Sequence, residues 1–264
     1  MPRLSMDNVE LYYEEYGTGE NVVLSAQMEL AQGDSYQRLL ALAGLHVYYI
    51  QLRGFGKSTH VTEAPAAGWY PTWAEDVYQV SCALGVDRFI YTGVSHGAGV
   101  GWYLALAHPE SLRAFVSVVG GPHDRTLPRT RGIGVDGANP PPMFEVPTAD
   151  PERLRRRAER ARHARERWAR LSAEERAISP GRLFPELATN ADVAQMLGRV
   201  AVPTLLLYAA QDDIIPPGMA LLAARTVPGA KLVLYQDHSH SLASEAPQRL
   251  VDEVVLFMQE IGPA

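Results

Sequence analysis

The sequence predicts an α/β fold with a doubly wound, mostly parallel sheet. Short runs rich in apolar and β-branched residues alternate along the chain with segments of helical composition or spacing, as repeated strand-helix units do. The runs are continuously apolar, as expected for parallel strands that are buried on both faces. Strands are predicted over residues 21–25, 46–52, 88–92, 114–119, 204–208 and 231–235.

Helices are expected between these strands. The segments with helical composition or spacing are residues 36–43, 73–84, 98–107, 219–226 and 246–259. Gly85 supplies a stop signal after the second of them, because glycine often ends a helix. Cys82 is the only cysteine in the sequence, so it cannot form an internal disulfide, and we expect it to be a small buried apolar residue.

The alternation of strands and helices fails once, between about residues 120 and 202. This segment opens with a stretch rich in Gly and Pro and continues into an Arg-rich helix over about residues 151–171. We therefore divide the chain into a core, residues 1–120 and 200–264, and a cap or lid insertion, residues 121–199. A length of 264 residues is routine for one domain with such an insertion.

The Arg-rich helix has an apolar stripe at steps of three and four, formed by Leu154, Ala158, Ala161, Ala164, Trp168 and Leu171. A helix covered with arginines can bind an anionic partner, either nucleic acid or an acidic membrane surface. Glutamates at positions 152, 159 and 166 are spaced to pair with the arginines and partly neutralise them. We therefore expect the stripe to lie on the domain and the arginines to be solvated.

Composition and charge narrow the class of function. The net charge of −6 gives no general attraction to nucleic acid. The N-terminal residues become polar too soon for a signal peptide, and no stretch approaches the ~18 apolar residues that a membrane span requires. We expect a cytoplasmic protein that acts on a small molecule, without nucleic-acid or membrane partners. The oligomeric state is left open.

Residues 93–97 carry the pattern G-x-S-x-G around Ser95. The pattern follows a predicted strand and precedes a predicted helix, which is the context in which it marks a nucleophile. Glycine is needed at 93 and 97 because larger side chains would collide in so tight a turn. The turn lifts Ser95 to the C-terminal edge of the sheet, beside a helix N-terminus. Ser95 is therefore the candidate nucleophile.

Two later strands end near residues that suit a base and its orienting acid. Asp212 follows the strand at 204–208, and the strand at 231–235 runs into a loop that contains His238 and His240. The carboxyl ends of parallel strands meet at one edge of a sheet, so we expect these side chains beside Ser95. Nucleophilic acyl transfer at neutral pH needs this set of groups.

The turn and the order Ser, Asp, His along the chain resemble the α/β-hydrolase superfamily, in its branch of small esterases, lactonases and carbon–carbon bond hydrolases. The resemblance covers nearly the whole chain, from paired segments around residues 9–17, through residues 52–58 and the turn at Ser95, to His240 and the Glu-Ala-Pro run at residues 245–247. It implies the α/β-hydrolase fold, with about eight strands in a doubly wound, mostly parallel sheet and a helical cap insertion.

The resemblance also selects the base. The catalytic His of the family commonly stands five residues before a Glu and seven before a Pro. His240 precedes Glu245 and Pro247 at these two spacings, whereas His238 falls two positions early. His240 is therefore the preferred base, and His238 is interpreted as a loop residue or a neighbour of the site.

For the acid, the resemblance leaves alternatives. Asp212 sits where the family's Asp follows its strand, but Asp213 is adjacent. Some members of the family carry the acid one strand earlier, where Asp124 lies. We prefer Asp212.

Two positions depart from the family's pattern. The family's third strand usually ends in His-Gly, and the next residue donates its N–H to the oxyanion; residues 26–27 are Ala-Gln here. By position, the Met28 N–H is one candidate donor and the His96 N–H the other, and Gln27 can add a side-chain donor. Gln51 stands where the family normally has Asp, which we expect to alter local hydrogen bonding rather than catalysis.

The resemblance implies a serine hydrolase that cleaves a carboxylic ester or lactone of a small, apolar substrate through an acyl-enzyme intermediate. Gln27, Met143, Phe144 and Trp168 are the candidate substrate contacts. No cofactor or metal is expected, since the sequence has neither a Gly-rich dinucleotide motif nor a clustered metal-ligand pattern. The same fold also supports carbon–carbon bond hydrolysis, acyl transfer, cofactor-free oxygen chemistry, or ligand reception without turnover.

Overall fold

Eight strands form one sheet in the computed structural model, which describes residues 2–6, 9–61, 63–127 and 144–262. They are β1 (Arg3–Met6), β2 (Val9–Tyr16), β3 (Val22–Gln27), β4 (His46–Gln51), β5 (Phe89–Val94), β6 (Leu112–Val118), β7 (Thr204–Ala209) and β8 (Lys231–Tyr235). Their order across the sheet is β1-β2-β4-β3-β5-β6-β7-β8. The pairs β1-β2 and β2-β4 are antiparallel and the remaining pairs are parallel. The predicted fold class is confirmed.

Helices flank this sheet and follow the predicted alternation. They are α1 (Tyr36–Leu42), α2 (Trp69–Ala83), α3 (His96–Ala107), α4 (Pro151–Arg170), α5 (Ala173–Ala177), α6 (Asn190–Leu197), α7 (Pro217–Thr226), α8 (Leu242–Glu245) and α9 (Pro247–Glu260). Helices α4, α5 and α6 lie in the segment between β6 and β7 that we interpret as the insertion. None of the helices in the described residues has the combined length and apolar character that crossing a membrane requires.

The sheet is covered on both faces because successive side chains of a strand point to opposite sides. In β3, Val23 packs in a cluster with Leu40 of α1 and Val254 of α9. The next residue, Leu24, belongs to a second cluster that includes Trp102 of α3. This two-sided burial explains why the strands read as continuous apolar runs.

Two details of α2 differ from the sequence prediction. The helix begins at Trp69, before the predicted start at residue 73, and Trp69 and Tyr70 in its first turn are buried. Cys82 is exposed, so the expectation of a buried thiol is wrong. The buried face near the end of α2 is formed by Val80 and Ser81, and Cys82 lies about 100° further around the helix.

Helix α4 packs through a different face from the predicted one. Leu154 is 48% exposed, whereas Arg153 is only 8% exposed. Arg153 and Arg157 form ion pairs with Glu245 of α8. Trp168 is buried as expected. In the first half of the helix, the packed face is therefore set by ion pairs with Glu245 and not by the apolar stripe. The prediction of solvated arginines is wrong at Arg153 and Arg157.

One edge of the sheet gathers the loops that carry the candidate residues. Because β3, β5, β6, β7 and β8 are parallel, their carboxyl ends lie at the same edge. The chain passes from β5 into α3 through Ser95 alone. The loop after β7 contains Asp212, and the loop after β8 contains His240.

Candidate active site

The turn between β5 and α3 holds Ser95 with φ 53° and ψ −112°, an uncommon conformation for a residue with a side chain. A Cβ on Gly93 would lie 2.1 Å from the carbonyl carbon of Gly97, and a Cβ on Gly97 would lie 2.3 Å from the carbonyl oxygen of Ala26. The Ser95 N–H donates to the Val118 carbonyl at 2.9 Å. The two glycines therefore permit the turn, and the neighbouring strand fixes it.

Three side chains from three loops form a hydrogen-bonded series at this edge. Oγ of Ser95 lies 2.9 Å from Nε2 of His240, and Nδ1 of His240 lies 2.8 Å from Oδ2 of Asp212. Since a carboxylate only accepts, the neutral imidazole carries its proton on Nδ1, which leaves Nε2 to accept from the Ser95 hydroxyl. The series is suited to remove the Ser95 proton and to stabilise the resulting imidazolium.

Asp212 is held rigidly by the loop after β7. Its Oδ1 accepts hydrogen bonds from the N–H groups of Ile214 and Ile215, at 2.8 and 2.9 Å. Its Oδ2 is the atom that faces His240. The carboxylate is buried, with 5% of the residue exposed. Both oxygens are therefore engaged, which fixes the direction of the carboxylate toward the imidazole.

The alternative acids and the alternative base make other contacts. Asp213 lies next to Asp212 but does not share its hydrogen bonds to the loop. Asp124 accepts a hydrogen bond from the Asn190 amide at 2.9 Å. His238 is hydrogen-bonded through Nδ1 to the carboxylate of its neighbour in sequence, at 2.8 Å. Of the sequence candidates, only Ser95, Asp212 and His240 form the hydrogen-bonded series described above.

Two glutamine side chains hold the end of β3 and the loop after it, one by a bond to the turn at Ser95 and the other by bonds that link the loop to the segment after β4. Nε2 of Gln27 donates to the Val94 carbonyl at 2.8 Å, so one of its two amide protons is occupied there. Nε2 of Gln51 donates to the Met28 carbonyl at 3.2 Å, and its Oε1 accepts from the Lys57 N–H at 2.8 Å. Gln51 thus sets the local hydrogen bonding of the loop that contains Met28, which is 7% exposed.

Two further histidines lie near His240. Burial, reinforced by the charge of His240, lowers the pKa of His96 to about 3. Burial, followed by the positive charges of Arg125 and Arg182, lowers the pKa of His123 to about 4. Both imidazoles are neutral at neutral pH, so neither opposes protonation of His240. Sequence reasoning missed His123, although its position after a strand that ends at this edge was a usable signal.

His96 is also the first residue of α3, and the first N–H groups of a helix have no acceptor within the helix. Its backbone N–H is therefore available at the turn that holds Ser95.

Within the part of the chain that the structure describes, no group of three or more His, Cys, Asp and Glu side chains is arranged to hold a metal ion.

The candidate substrate contacts from the insertion lie in different surroundings. Phe144 is 50% exposed, and its N–H donates to Asp213 Oδ2 at 3.4 Å, beside the loop that carries the acid. Trp168 is buried in α4, with the Arg176 guanidinium 6.0 Å from its ring centroid. Met143 lies outside the described residues. A role in substrate binding stays a prediction for each of them.

Comparison with known proteins identifies the family. The family model described as alpha/beta hydrolase fold matches residues 30–247. The chain belongs to the alpha/beta hydrolase fold family. The matched segment includes Ser95, Asp212 and His240, and the resemblance seen in the sequence is confirmed.

Curated relatives of this alpha/beta hydrolase carry several hydrolase names. The putative carbamate hydrolase RutD of Azorhizobium caulinodans is 27% identical over an alignment of 278 residues that covers 99% of each chain. A protein of the same name from Klebsiella pneumoniae is 31% identical, over 80% of this chain and 81% of that protein. The 2-hydroxymuconate semialdehyde hydrolase of Pseudomonas putida is 29% identical, over 78% of this chain and 74% of that protein.

Solved structures share the fold across nearly the whole chain. The esterase RhEst1 from Rhodococcus sp. ECU1013 superposes with a TM-score of 0.74 at 20% identity, covering 98% of both chains. Est816, described as an N-acyl homoserine lactone degrading enzyme, superposes with a TM-score of 0.72 at 21% identity, covering 97% of this chain and all of that one. The family match and these structures agree that the chain has the alpha/beta hydrolase fold.

Proposed function

We propose that this alpha/beta hydrolase is a serine hydrolase that cleaves a carboxylic ester or lactone of a small, apolar substrate. The observation that supports it most strongly is the series of contacts from Ser95 Oγ through His240 to Asp212, at 2.9 and 2.8 Å. A hydroxyl, a base within reach and an acid that orients the base are the groups required for nucleophilic acyl transfer.

The first half of the reaction forms an acyl-enzyme. His240 Nε2 takes the proton of Ser95, and Oγ forms a bond to the substrate carbonyl carbon. The carbonyl oxygen becomes an oxyanion, for which the N–H groups of Met28 and His96 are the proposed donors. His240 then gives its proton to the leaving oxygen as the ester bond breaks. In a lactone that oxygen stays tethered to the acyl group.

The second half releases the acid. Water gives a proton to His240 Nε2 as its oxygen bonds to the acyl carbon, and the second oxyanion uses the same donors. Collapse returns the proton to Ser95 Oγ and frees the carboxylic acid. Asp212 stays ionised throughout and stabilises the imidazolium. The uncharged His96 supports this cycle because it adds no positive charge beside His240.

The insertion, residues 121–199, is proposed as a cap that shapes the substrate pocket. Its helix α4 contacts the loop after β3 through Arg156, which donates to the Asp34 carbonyl at 3.4 Å. Phe144 meets the loop after β7. Both contacts are at the edge where the strands end, which is where ligands bind in open α/β sheets.

Labelling with a fluorophosphonate probe tests the proposal directly, because the probe reacts only with an activated serine. The wild-type protein should be labelled and should hydrolyse p-nitrophenyl acetate and butyrate. Ser95→Ala should lose both. A folded wild-type protein that is neither labelled nor active would contradict the proposal and favour a ligand receptor.

A carbamate substrate is a second candidate, favoured by the two RutD relatives described above, which match 99% and 80% of the chain. The same attack by Ser95 would then expel the alcohol or phenol, to which His240 gives its proton, and leave a carbamoyl-enzyme. Water would cleave this to a carbamic acid, which decomposes to an amine and CO2. Comparison of kcat/KM for an aryl ester and the matching N-alkyl carbamate distinguishes the two. A higher value for the carbamate would assign the substrate class to carbamates.

A further inference from the structure

A single guanidinium contacts both ends of the segment that carries His240. Arg153 of α4 donates through Nη2 to the Asp237 carbonyl at 2.7 Å and through Nη1 to Asp237 Oδ2 at 3.1 Å. Its Nε and Nη2 also donate to Glu245 Oε2, at 3.0 and 2.8 Å. Asp237 precedes His240 in the loop after β8, and Glu245 follows it at the end of α8.

The contacts between Arg153 and Glu245 are buried, and both oxygens of the Glu245 carboxylate accept hydrogen bonds. The Glu245 side chain is 1% exposed and the Arg153 side chain 9%. Arg157, one turn further along α4, donates to the other carboxylate oxygen, Glu245 Oε1, at 3.0 Å. Burial alone would raise the pKa of Glu245, but hydrogen bonds from Arg157 and Arg153 outweigh it and lower the pKa below its ordinary value. The carboxylate is therefore charged and held by two residues of α4.

Backbone bonds connect this cluster to the candidate triad. The His238 carbonyl accepts from the Gln211 N–H at 3.1 Å, next to Asp212. On the other side of His240, the Glu245 N–H donates to the Ser241 carbonyl at 3.1 Å. A shift of Asp237 or Glu245 would thus be passed to the backbone on both sides of His240.

We propose that Arg153 is a positioning residue for His240: its guanidinium clamps the loop after β8 to helix α8, and so holds the imidazole at hydrogen-bond distance from Ser95. The proposal rests on the proposed role of His240 as the base. Displacement of a catalytic group by about 1 Å can reduce a rate by up to about 100-fold, so a clamp of this kind is expected to affect turnover.

The other end of α4 contacts the opposite side of the same edge. Arg167 Nε lies 3.3 Å from Glu29 Oε2, and Glu29 follows Met28 directly. Arg153 and Arg167 are separated by about 21 Å along the helix at a rise of about 1.5 Å per residue. One rigid helix of the insertion therefore contacts both the loop of the proposed base and the loop of a proposed oxyanion donor.

The substitution Arg153→Met removes the guanidinium, keeps most of the volume and leaves Glu245 paired with Arg157. We expect kcat for p-nitrophenyl butyrate to fall by about 10-fold to 100-fold with KM changed by less than about 3-fold. The rate of labelling by a small fluorophosphonate should fall by the same factor, because labelling depends on activation of Ser95 and not on the substrate pocket.

Arg155→Met is the matched control. Arg155 lies on the same helix but pairs with Glu152 and Glu159 at the surface, and its side chain is 47% exposed. Its substitution should leave kcat, KM and the labelling rate unchanged. Arg153→Lys keeps a charge but lacks the planar, forked donors by which the guanidinium contacts Asp237 and Glu245, so we expect a kcat between those of Arg153→Met and the wild type.

The outcomes separate the two proposals. An inactive and unlabelled wild-type protein would refute the role of Ser95 and His240, and the clamp with it. If the wild-type protein is active but Arg153→Met keeps the wild-type kcat and labelling rate, only the clamp is overturned. A change in KM alone in Arg153→Met has the same meaning. If Arg153→Met does not fold, Arg153→Lys decides, and wild-type kcat in that folded variant overturns the clamp as well.

Discussion

The turn around Ser95 and helix α4 meet at the same edge of the sheet, yet they are held in different ways. The turn is fixed by close backbone contacts among glycines and neighbouring strands. The first half of α4 is fixed by Arg153 and Arg157, which pair with the buried Glu245, while Leu154 is half exposed. Apolar pattern and glycine spacing therefore describe the first region well and mislead in the second.

The largest effects should come from the turn and its partners. Ser95→Ala and His240→Ala should each reduce kcat for p-nitrophenyl butyrate by about 10⁴-fold or more, because both groups act in the same step. Far-ultraviolet circular dichroism should be unchanged. His238→Ala should be less damaging than His240→Ala, and the reverse order would show that the base was wrongly chosen.

The next largest effect should come from Asp212, which faces His240, whereas the neighbouring Asp213 contacts the insertion at Phe144. Asp212→Asn should lower kcat by about 10³-fold to 10⁴-fold, because an amide can donate to His240 Nδ1 and so favour the wrong tautomer. Asp213→Asn is the matched control, since Asp213 faces the Phe144 N–H instead. Asp124→Asn should also stay near wild type. Loss of activity in Asp124→Asn with a normal Asp212→Asn variant would move the acid to the loop after β6.

The free energy of unfolding should depend more on Glu245, which pairs with α4, than on Leu154 in the apolar stripe of α4. The apolar pattern alone suggests the opposite order. Glu245→Gln should lower the free energy of unfolding by about 3–5 kcal/mol, because it removes the anion shared by the buried Arg153 and the partly buried Arg157. Leu154→Ala should change it by less than about 0.5 kcal/mol, because that side chain is half exposed. Urea denaturation measures both. A larger loss for Leu154→Ala than for Glu245→Gln would restore the apolar stripe as the packed face.

The smallest effect concerns the two neutral histidines beside the turn. The pKa values of His96 and His123 are lowered to about 3 and about 4, from an ordinary value of 6.5. Between those limits the unfolded chain binds more protons than the folded one, so stability should fall as the pH is lowered from about 6.5 toward 4. Denaturation of wild type and His123→Gln across this range tests it, and the variant should show a shallower slope. Equal slopes would contradict the assigned burial effect on His123.

The parallel sheet could be predicted because its strands are buried on both faces, which leaves continuous apolar runs in the sequence. The antiparallel strands β1 and β2 could not be found in that way, since β2 alternates Tyr, Glu and apolar residues and is only partly buried. The turn at Ser95 was recognisable because its sterics demand glycine at fixed positions. The rule that parallel strands end at one edge predicted an acid and a histidine beside Ser95. The preference for His240 over His238, and for Asp212 over Asp213 and Asp124, came from the resemblance to the family.

The packing of the insertion could not be predicted from periodicity. A search for apolar spacing selects Leu154 as the packed residue of α4. Arg153 can be buried only because an acid from another element pairs with it, and that acid, Glu245, lies about ninety positions later in the chain. The spacing from His240 had singled out Glu245 as a family feature without indicating its partner. Long-range charge pairing of this kind becomes visible only when both elements are in place.

The amide of Gln51 has a consequence for how the loop after β3 responds to its surroundings. The Gln51 amide donates a hydrogen bond to the Met28 carbonyl and accepts one from the Lys57 N–H. A carboxylic acid at this position could do both only in its protonated form, because a carboxylate has no donor. An amide does both with no change of charge. The brace between Met28 and the turn at residues 52–58 is therefore insensitive to acidity, and this part of the edge should keep its shape in mildly acidic solution while the ionisable groups around it titrate.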